Sequence, residues 1–358
     1  MNDGIIENIP ESITEEALQN SSAKLNPTNS ILIAMYGATI GKLGILSYPA
    51  ATNQACCACI EYSAVEKYYL FYFLLSHRHH FIYKGGGGAQ PNISKEKILN
   101  TAIPLPPIEE QRRIIKAIEK WFLIINIVEA NKNEALECIK VAKNKILDLA
   151  IHGKLVPQHP ADEPAIKLLK RVNPSAEITC DNEHYPNGWI EIILGDIFYH
   201  NTGKALNSSN KDGEMKYYLT TSNVYWNKFD FTIVKQMLFK ENELDKCTIT
   251  KGDLLVCEGG DIGRAAIWNY EYDICIQNHI HRLRPRFNIS VLFYYYVMRY
   301  LKENNLIGGK GIGLLGLSSN ALHKIKMPLP PLAEQQRIVA KIEELFAQLD
   351  AIENSLQA

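Results

Sequence analysis

Gly37, Gly41 and Lys42 are spaced almost as a phosphate-binding loop would space them. They lie in Tyr36–Leu46, YGATIGKLGIL, which overlaps the end of the apolar run ILIAMY. A P-loop needs four residues between its glycines and a Ser or Thr after the lysine, because the long loop wraps the phosphates and the hydroxyl holds Mg²⁺. Here only Ala38, Thr39 and Ile40 separate the glycines, and Leu43 follows Lys42. The spacing excludes an NTPase loop and reads as strand, tight glycine turn, strand. The histidines of SHRHH (76–80) follow YLFYFLL and read as a basic helix terminus favoured by the helix dipole, not as a metal site. YKGGGGAQP (83–91) is a flexible glycine run with no helix cap at once after it. Neither HExxH nor GxSxG occurs, and there is no Asn-Pro-Pro-aromatic motif for base methylation. The eight cysteines lack metal-ligand spacing. Cys56, Cys57 and Cys59 read as packing in a strand, and reduced thiols fit a cytoplasmic protein. No catalytic residue and no metal ligand is expected on this chain.

What remains is a set of amides and basic residues in glycine-rich loops. Arginine and amide side chains read base edges through paired hydrogen bonds in the major groove, and lysine positions the phosphate backbone. The segment 185–326 carries 17 Lys and Arg against 14 Asp and Glu, a net of +3. It contains TTSNVYWNK (220–228), GGDIGR (259–264), IQNHIHRLRPR (276–286) and GGKGIGLLGLS (308–318). The candidate DNA contacts there are Asn223, Arg264, Gln277, Asn278 and His279, with Lys310 toward phosphate. Earlier in the chain the candidates are Lys42, Asn53, Gln54 and Gln90. The whole chain has a formal charge of −1, so no global basic field announces nucleic acid. No apolar run reaches membrane-spanning length and no N-terminal signal pattern is present.

These side chains need a scaffold, and the sequence encodes one twice. Gly37, Ile40, Gly41 and Lys42 recur as Gly259, Ile262, Gly263 and Arg264, at an offset of 222. TNQAC (52–56) falls near IQNHI (276–280). The segment 92–121 matches 316–345 at an offset of 224. Within it PLPPIEEQRRI (104–114) answers PLPPLAEQQRI (328–338). One long period means a duplicated domain and not a short-repeat solenoid.

Each PLPP is expected to break the chain ahead of a long helix, since proline is tolerated before a helix and not inside one. Ile338, Ile342, Leu345, Leu349, Ile352 and Leu356 follow the four-three spacing of a coiled-coil seam. Ile114, Ile118, Trp121, Ile125 and Val128 use the same frame, which resumes at Ile139, Ala142, Ile146 and Leu149. From 114 to 149 the first helix would span about 54 Å, against about 28 Å of seam in the second. A narrow seam does not hold a helix alone. The nearest partner is the other copy, which sets Ile114, Ile118 and Ile125 against Ile338, Ile342, Leu345 and Leu349. A helix of this length between two globular copies reads as a spacer.

With the glycine turn GATIGK, the twin PLPP–helix starts and KILDLAIHGKLVPQ (145–158), the chain resembles the specificity subunit of type I restriction–modification systems. The likeness covers nearly the whole chain. It implies two target-recognition domains, each reading one half of a split DNA sequence, and two helical regions paired as an antiparallel coiled coil that fixes the spacing. The fold class is then α+β, with two similar mixed α/β recognition domains, the first incomplete, joined by long helices. The expected divisions are 1–107, 108–184, 185–331 and 332–358. The implied partners are double-stranded DNA, two modification subunits and restriction subunits. S-adenosylmethionine, ATP and Mg²⁺ are expected on those subunits, and this chain is expected to be non-catalytic. A coiled-coil scaffold that ignores DNA is the alternative, as is a self-contained DNA methyltransferase or nuclease, which the missing motifs argue against. YPNGWIEIILGDI (185–197) looks like the start of the second recognition domain. Projected through the repeat, residue 1 answers to a position near residue 227, so the first domain is expected to lack roughly 40 residues of its counterpart. That loss is expected to leave an unpaired edge on the sheet of ILIAMY and LGILSY. It also predicts poor reading of the first half-site unless another polypeptide supplies the missing piece.

Overall fold

Ile31 and Ile33 pack into one cluster of buried residues and Leu32 into another, so ILIA is a strand covered on both faces. Leu254, Val256 and their neighbours Leu255 and Cys257 divide in the same way. Alternation of this kind is what a pleated strand imposes when each face has its own core. The computed structural model describes residues 1–60, 62–85, 92–174, 185–206, 212–307 and 317–357. The chain divides into two units, Met1–Asn131 and Lys132–Ala358.

The first unit runs β1 (Gly4–Ile6), α1 (Glu15–Gln19), β2 (Leu25–Asn26), β3 (Ile31–Ala34), β4 (Leu43–Leu46), β5 (Ala50–Ala51) and β6 (Cys56–Cys59). Helices α2 (Lys67–Ser76), α3 (Arg78–Lys84) and α4 (Lys95–Leu99) follow, then the start of α5 (Ile108–Ile151). The main sheet has the order β1-β4-β3-β6, and β2 pairs with β5. β3 is antiparallel to both neighbours, with Ile31 opposite Ile45 and Cys59. β1 lies parallel on the far edge of β4. The edge expected to be open beside ILIAMY and LGILSY is therefore occupied on the β4 side. Among the described residues the outer strands of this sheet are β1 and β6.

The second unit holds the end of α5, then α6 (Ala165–Val172), β7 (Ile190–Ile193), α7 (Leu194–Ile197), β8 (Phe198–Thr202) and β9 (Glu214–Leu219). There follow β10 (Val224–Tyr225), β11 (Lys228–Phe229), β12 (Lys235–Phe239), α8 (Glu241–Cys247), β13 (Thr248–Ile249), β14 (Leu254–Cys257), β15 (Ala265–Ile267), β16 (Ile274–Ile276) and β17 (Ile280–Pro285). The unit closes with α9 (Val291–Glu303), α10 (Ser319–His323), β18 (Lys326–Leu329) and α11 (Leu332–Gln357). Its sheets are β15-β14-β17-β8, β12-β9-β16-β13, β18-β7 and β10-β11. Pro328 sits inside β18, in a two-stranded sheet. Proline is confined to such edges because it has no N–H to give a ladder.

The repeat seen in the sequence is a repeat of hydrogen bonds. Gly41 N donates to the Ala34 carbonyl as Gly263 N does to Cys257, at 2.9 Å in both. Met35 N donates to Ala55 as Glu258 N does to His279, and Ile93 N to Met35 as Leu317 N does to Glu258. The register reaches the third residue. Asp3 and Asn227 both have positive φ, 61° and 47°, a conformation short Asn and Asp side chains tolerate best. Asp3 N donates to Leu43 O and Asn227 N to Ala265 O.

Both helix starts are locked by a buried glutamine. Gln111 accepts from Glu66 N at 2.8 Å and donates to Pro106 O at 2.9 Å. Gln335 accepts from Ser290 N and donates to Pro330 O, each at 2.9 Å. Glu66 and Ser290 are the N-caps of α2 and α9, so one amide ties the long helix to the helix of its own unit. Glu334, beside Gln335, is buried and accepts from Trp189 Nε1 at 2.9 Å. Burial lifts its carboxyl above the usual range while Trp189 and Arg337 pull it back.

The last turns of α5 and α11 run antiparallel within the second unit. Lys143 Nζ meets Asp350 Oδ1 at 2.6 Å and Glu353 Oε2 at 2.7 Å. Beyond the end of α5, Asp162 meets Arg337, near the start of α11. The seam needs correcting in detail. Ile338 and Ile342 have no exposed surface and belong, with Phe346, to the domain core that also holds Phe293–Met298 of α9. Phe346 stacks edge-on against Tyr296, and Leu345 and Leu349 are only half-buried beside it. On α5, Ile114 and Ile118 are half-buried, and Ile125 is 47% exposed. Trp121, Phe122, Leu123, Ile124, Ile127 and Val128 are exposed too. Apolar residues there occupy every face of the helix, more than one seam could cover.

Candidate nucleic-acid interface

In the second unit the loops at one end of the β15-β14-β17-β8 sheet form a rim. β14 and β17 pair through Cys257 and Ile280, so the loop 258–264 after β14 and the loop 277–279 before β17 leave the sheet together. Glu258 N binds the His279 carbonyl at 2.9 Å and closes them against each other. Gln277 N donates to Leu219 O at 2.9 Å, and Asn278 N to Lys204 O at 3.0 Å. The ends of β8 and β9 are thereby joined to the same rim. Gly203 is needed at this junction, since a Cβ there would stand 2.0 Å from the Ile276 carbonyl oxygen. Gly263 has φ +83° and turns the chain back into β15.

Four of the expected DNA contacts meet on this rim. Gln277 and Asn278 are half-buried, and their backbones, not their side chains, carry the bonds that fix the loop. The two amide groups are thus presented by a rigid frame. His279 is 55% exposed at its side chain and its Nδ1 lies 3.3 Å from Glu258 Oε2. Arg264 donates from Nη2 to Thr221 O at 2.5 Å, and its guanidinium lies 4.8 Å from the centre of the Tyr225 ring. That arginine clasps the loop after β9, and Tyr225, 43% exposed, forms a flat partner beside it.

Asn223 does not belong to the contact set. It is buried, and its Oδ1 accepts from Thr220 N and Oγ1 at 2.8 and 2.9 Å. Its Nδ2 donates to the carbonyls of Asp230 and Ile233 at 2.9 and 2.8 Å. Every bonding group of the amide is committed to the loop. Gln90 and Lys310 lie outside the described residues.

In the first unit part of the same bonding recurs: Gly41 N to Ala34 O, Met35 N to Ala55 O and Cys56 N to Asn53 O repeat Gly263 to Cys257, Glu258 to His279 and Ile280 to Gln277. Lys42 follows the positive-φ Gly41 as Arg264 follows Gly263, and Asn53 and Gln54 stand where Gln277 and Asn278 stand. Asn53 and Gln54 are exposed, and Asn53 Oδ1 accepts from Ala55 N at 3.0 Å, an Asx turn. The basic residue of SHRHH that the sequence did not single out is Arg78. It pairs with Asp3 and donates from Nε to Gly41 O at 3.1 Å, so it holds the glycine turn. Two other residues of the second rim, Lys204 and Tyr225, carried no sequence signal beyond lying in polar loops. Lys204 is 11% exposed at its side chain and paired with Glu243, a structural role.

Among the described residues the second rim is nearly balanced in charge. His279 faces Glu258, Asp261 is paired with Lys302 at 2.9 Å, and Arg264 bonds Thr221 O. Such a surface favours hydrogen-bond reading over bulk attraction for phosphate. Among the described residues no cluster of three or more His, Cys, Asp or Glu could hold a metal ion. Nor is any helix there long and apolar enough to cross a membrane.

Comparison with known proteins gives a consistent result. Residues 1–138 and 186–358 match the family model described as "Type I restriction modification DNA specificity domain". The chain is 24% identical over 280 residues to the type I restriction enzyme EcoBI specificity subunit of Escherichia coli, covering 74% of this chain and 56% of that protein. It is 24% identical over 261 residues to the putative type I restriction enzyme MjaX specificity subunit of Methanocaldococcus jannaschii, covering 72% and 55%. The match thus spans little more than half the length of these relatives. Among solved structures, a chain from a study of assembly and conformational transition in the type I R-M system superposes with a TM-score of 0.69. Its identity is 20%, over 95% of this chain and 80% of that one. The HsdS subunit from Thermoanaerobacter tengcongensis superposes with a TM-score of 0.56 at 19% identity, over 94% and 79%. At these identities the superpositions speak for the fold.

Proposed function

This chain belongs to the type I restriction–modification DNA specificity family, and we propose that within such a system its two rims read the two halves of a split DNA sequence. One observation carries the reading. Two glycine-turn loops that share part of their bonding offer amide and basic side chains at the same register: Lys42, Asn53 and Gln54 on one, Arg264, Gln277 and Asn278 on the other. Amides and guanidinium groups on fixed loops are what base-edge recognition needs.

The chain's own part is recognition and assembly, not catalysis. Methyl transfer, with its S-adenosylmethionine, falls to modification subunits, and cleavage with ATP and Mg²⁺ to restriction subunits, in the cytoplasm. The exposed apolar band Trp121–Val128 on α5 suits a subunit contact, since monomers rarely leave such a patch in water.

The test is to assemble the chain with modification subunits and map methylated bases across a genome, then repeat the mapping with Gln277→Ala and with Asn53→Ala. Each substitution should relax one position in a different half of the site. A methylation pattern that ignores the chain altogether would leave only the scaffold reading.

A further inference from the structure

Glu258 is an acid in the middle of the second rim, a place where DNA phosphates would repel it. Its backbone is fixed on both sides. Glu258 N donates to His279 O at 2.9 Å, and Glu258 O accepts from Leu317 N at 3.0 Å. The side chain takes no part in these bonds. Among the described residues its carboxylate meets one hydrogen-bonding partner, His279, whose Nδ1 lies 3.3 Å from Oε2. The carboxylate is 28% exposed and the imidazole 55%, so both keep an edge open to a ligand. The other acid of this loop is settled differently, since Asp261 is paired with Lys302 of α9.

The corresponding loops of the first unit hold no such pair. Met35 N donates to Ala55 O where Glu258 N donates to His279 O. Met35 therefore takes the place of the acid and Ala55 that of the imidazole, and Met35 is buried. The two sets of loops share a basic residue and two amides, and they differ at this acid–imidazole pair.

A carboxylate only accepts hydrogen bonds. The base-edge donors of the major groove are the exocyclic amino groups, N4 of cytosine and N6 of adenine. Adenine is matched best by an amide, which bonds N6 and N7 together, and this rim already holds Gln277 and Asn278. Cytosine offers its amino group alone, which a carboxylate matches. Thymine O4 and guanine O6 and N7 are acceptors and would oppose it.

We infer that, where the second rim reads DNA as proposed above, Glu258 accepts from the N4 amino group of one cytosine and His279 holds the carboxylate in place for it. The negative charge opposes phosphate at every sequence, and that opposition is offset only where an amino group meets it. Glu258 thus selects largely by rejecting the other bases.

The test uses the chain assembled with modification subunits. Duplexes of the mapped site carry N4-methylcytosine at each cytosine in turn, on either strand. This base keeps its pairing and loses the amino hydrogen that faces the major groove. Binding by the unaltered complex should weaken about tenfold at one position that depends on Glu258. That position should lie in the half-site where Gln277→Ala relaxes its own. Glu258→Ala should bind the methylated and unmethylated duplexes alike there, and its methylation map should accept other bases at that position while the other half stays unchanged. The same variant should bind duplex lacking the site more tightly, because a negative charge has left the DNA face. A residue that only braced the loop would alter stability and none of these. If no cytosine is sensitive, or if the sensitivity persists in Glu258→Ala, the inference is overturned, while Gln277→Ala still reports on the rim itself. If neither substitution changes the sites methylated, the reading of the rim falls with it.

Discussion

Asn223 and Gln277 are both amides in loops of one domain, and only their neighbours separate their roles. Asn223 spends its oxygen and nitrogen on Thr220, Asp230 and Ile233, whereas Gln277 is held by its backbone. Gln277→Ala should leave thermal stability unchanged and reduce discrimination at one base pair by about 1–3 kcal/mol, read from binding to single-substituted duplexes. Asn223→Ala should lower stability by on the order of 2–3 kcal/mol, since buried groups lose their partners. If Gln277→Ala melted the domain as Asn223→Ala does, the division between reader and brace would be wrong. The sequence placed both in loops because turn residues surround them. It could not show that 230–233 fold back over Asn223, since that is a non-local event. A third residue titrates. His200 Nε2 lies 2.9 Å from His281 Nδ1. Burial, then His281 and His323, hold His200 down to about 4 from an ordinary 6.5. The unfolded chain binds a proton in that window and the folded one refuses it, so this contribution is whole above about pH 6.5 and is lost as pH falls toward 4. Melting temperatures from pH 7 to 4 should fall less steeply in His200→Asn. An unchanged slope would place the acid sensitivity elsewhere.

At the scale of elements, the repeated EQ-x-R motif at the helix starts has a mechanical meaning. Gln335 joins α11 to the cap of α9, and Gln111 joins α5 to that of α2. Gln335→Ala should destabilise the second unit by on the order of 1–3 kcal/mol, because Ser290 N and Pro330 O lose their partner in a dry site. Gln336→Ala, on the exposed face next to it, should change stability by less than about 0.5 kcal/mol. Denaturant melts of the two variants decide this; equal effects would remove the clamp. The repeat, the helix starts and the strand–turn–strand units were legible because each rests on local spacing. The partner of each helix was not. The four-three frame at Ile338, Ile342, Leu345 and Leu349 fits a coiled coil. Yet Ile338, Ile342 and Phe346 at intervals of four fit packing on α9 equally well, and only the tertiary structure places Phe346 on Tyr296. The strand beside β4 was not legible either, because β1 joins it through a parallel pairing that no turn announces.

For the molecule as a whole, the question is what α5 does between two rims of the same design. Its 44 residues span about 66 Å, and the division between the two units falls within it. A helix that only linked them could be shorter or broken by glycine. This one has neither glycine nor proline, as a spacer that sets a length and a rotation would require. Seven residues of helical sequence inserted between Glu129 and Glu134 add about 10 Å and return the face to within about 20° of its starting direction. In the assembled complex that insertion should lengthen the gap between methylated half-sites by about three base pairs while the bases read within each half stay the same. Five inserted residues add less length but turn the far end by about 140°, so they should abolish methylation instead of setting an intermediate gap. Genome-wide methylation maps of the two insertions separate rotation from length. A changed half-site with an unchanged gap, or equal tolerance of both insertions, would mean that α5 is a tether and that the spacing is set by the other subunits.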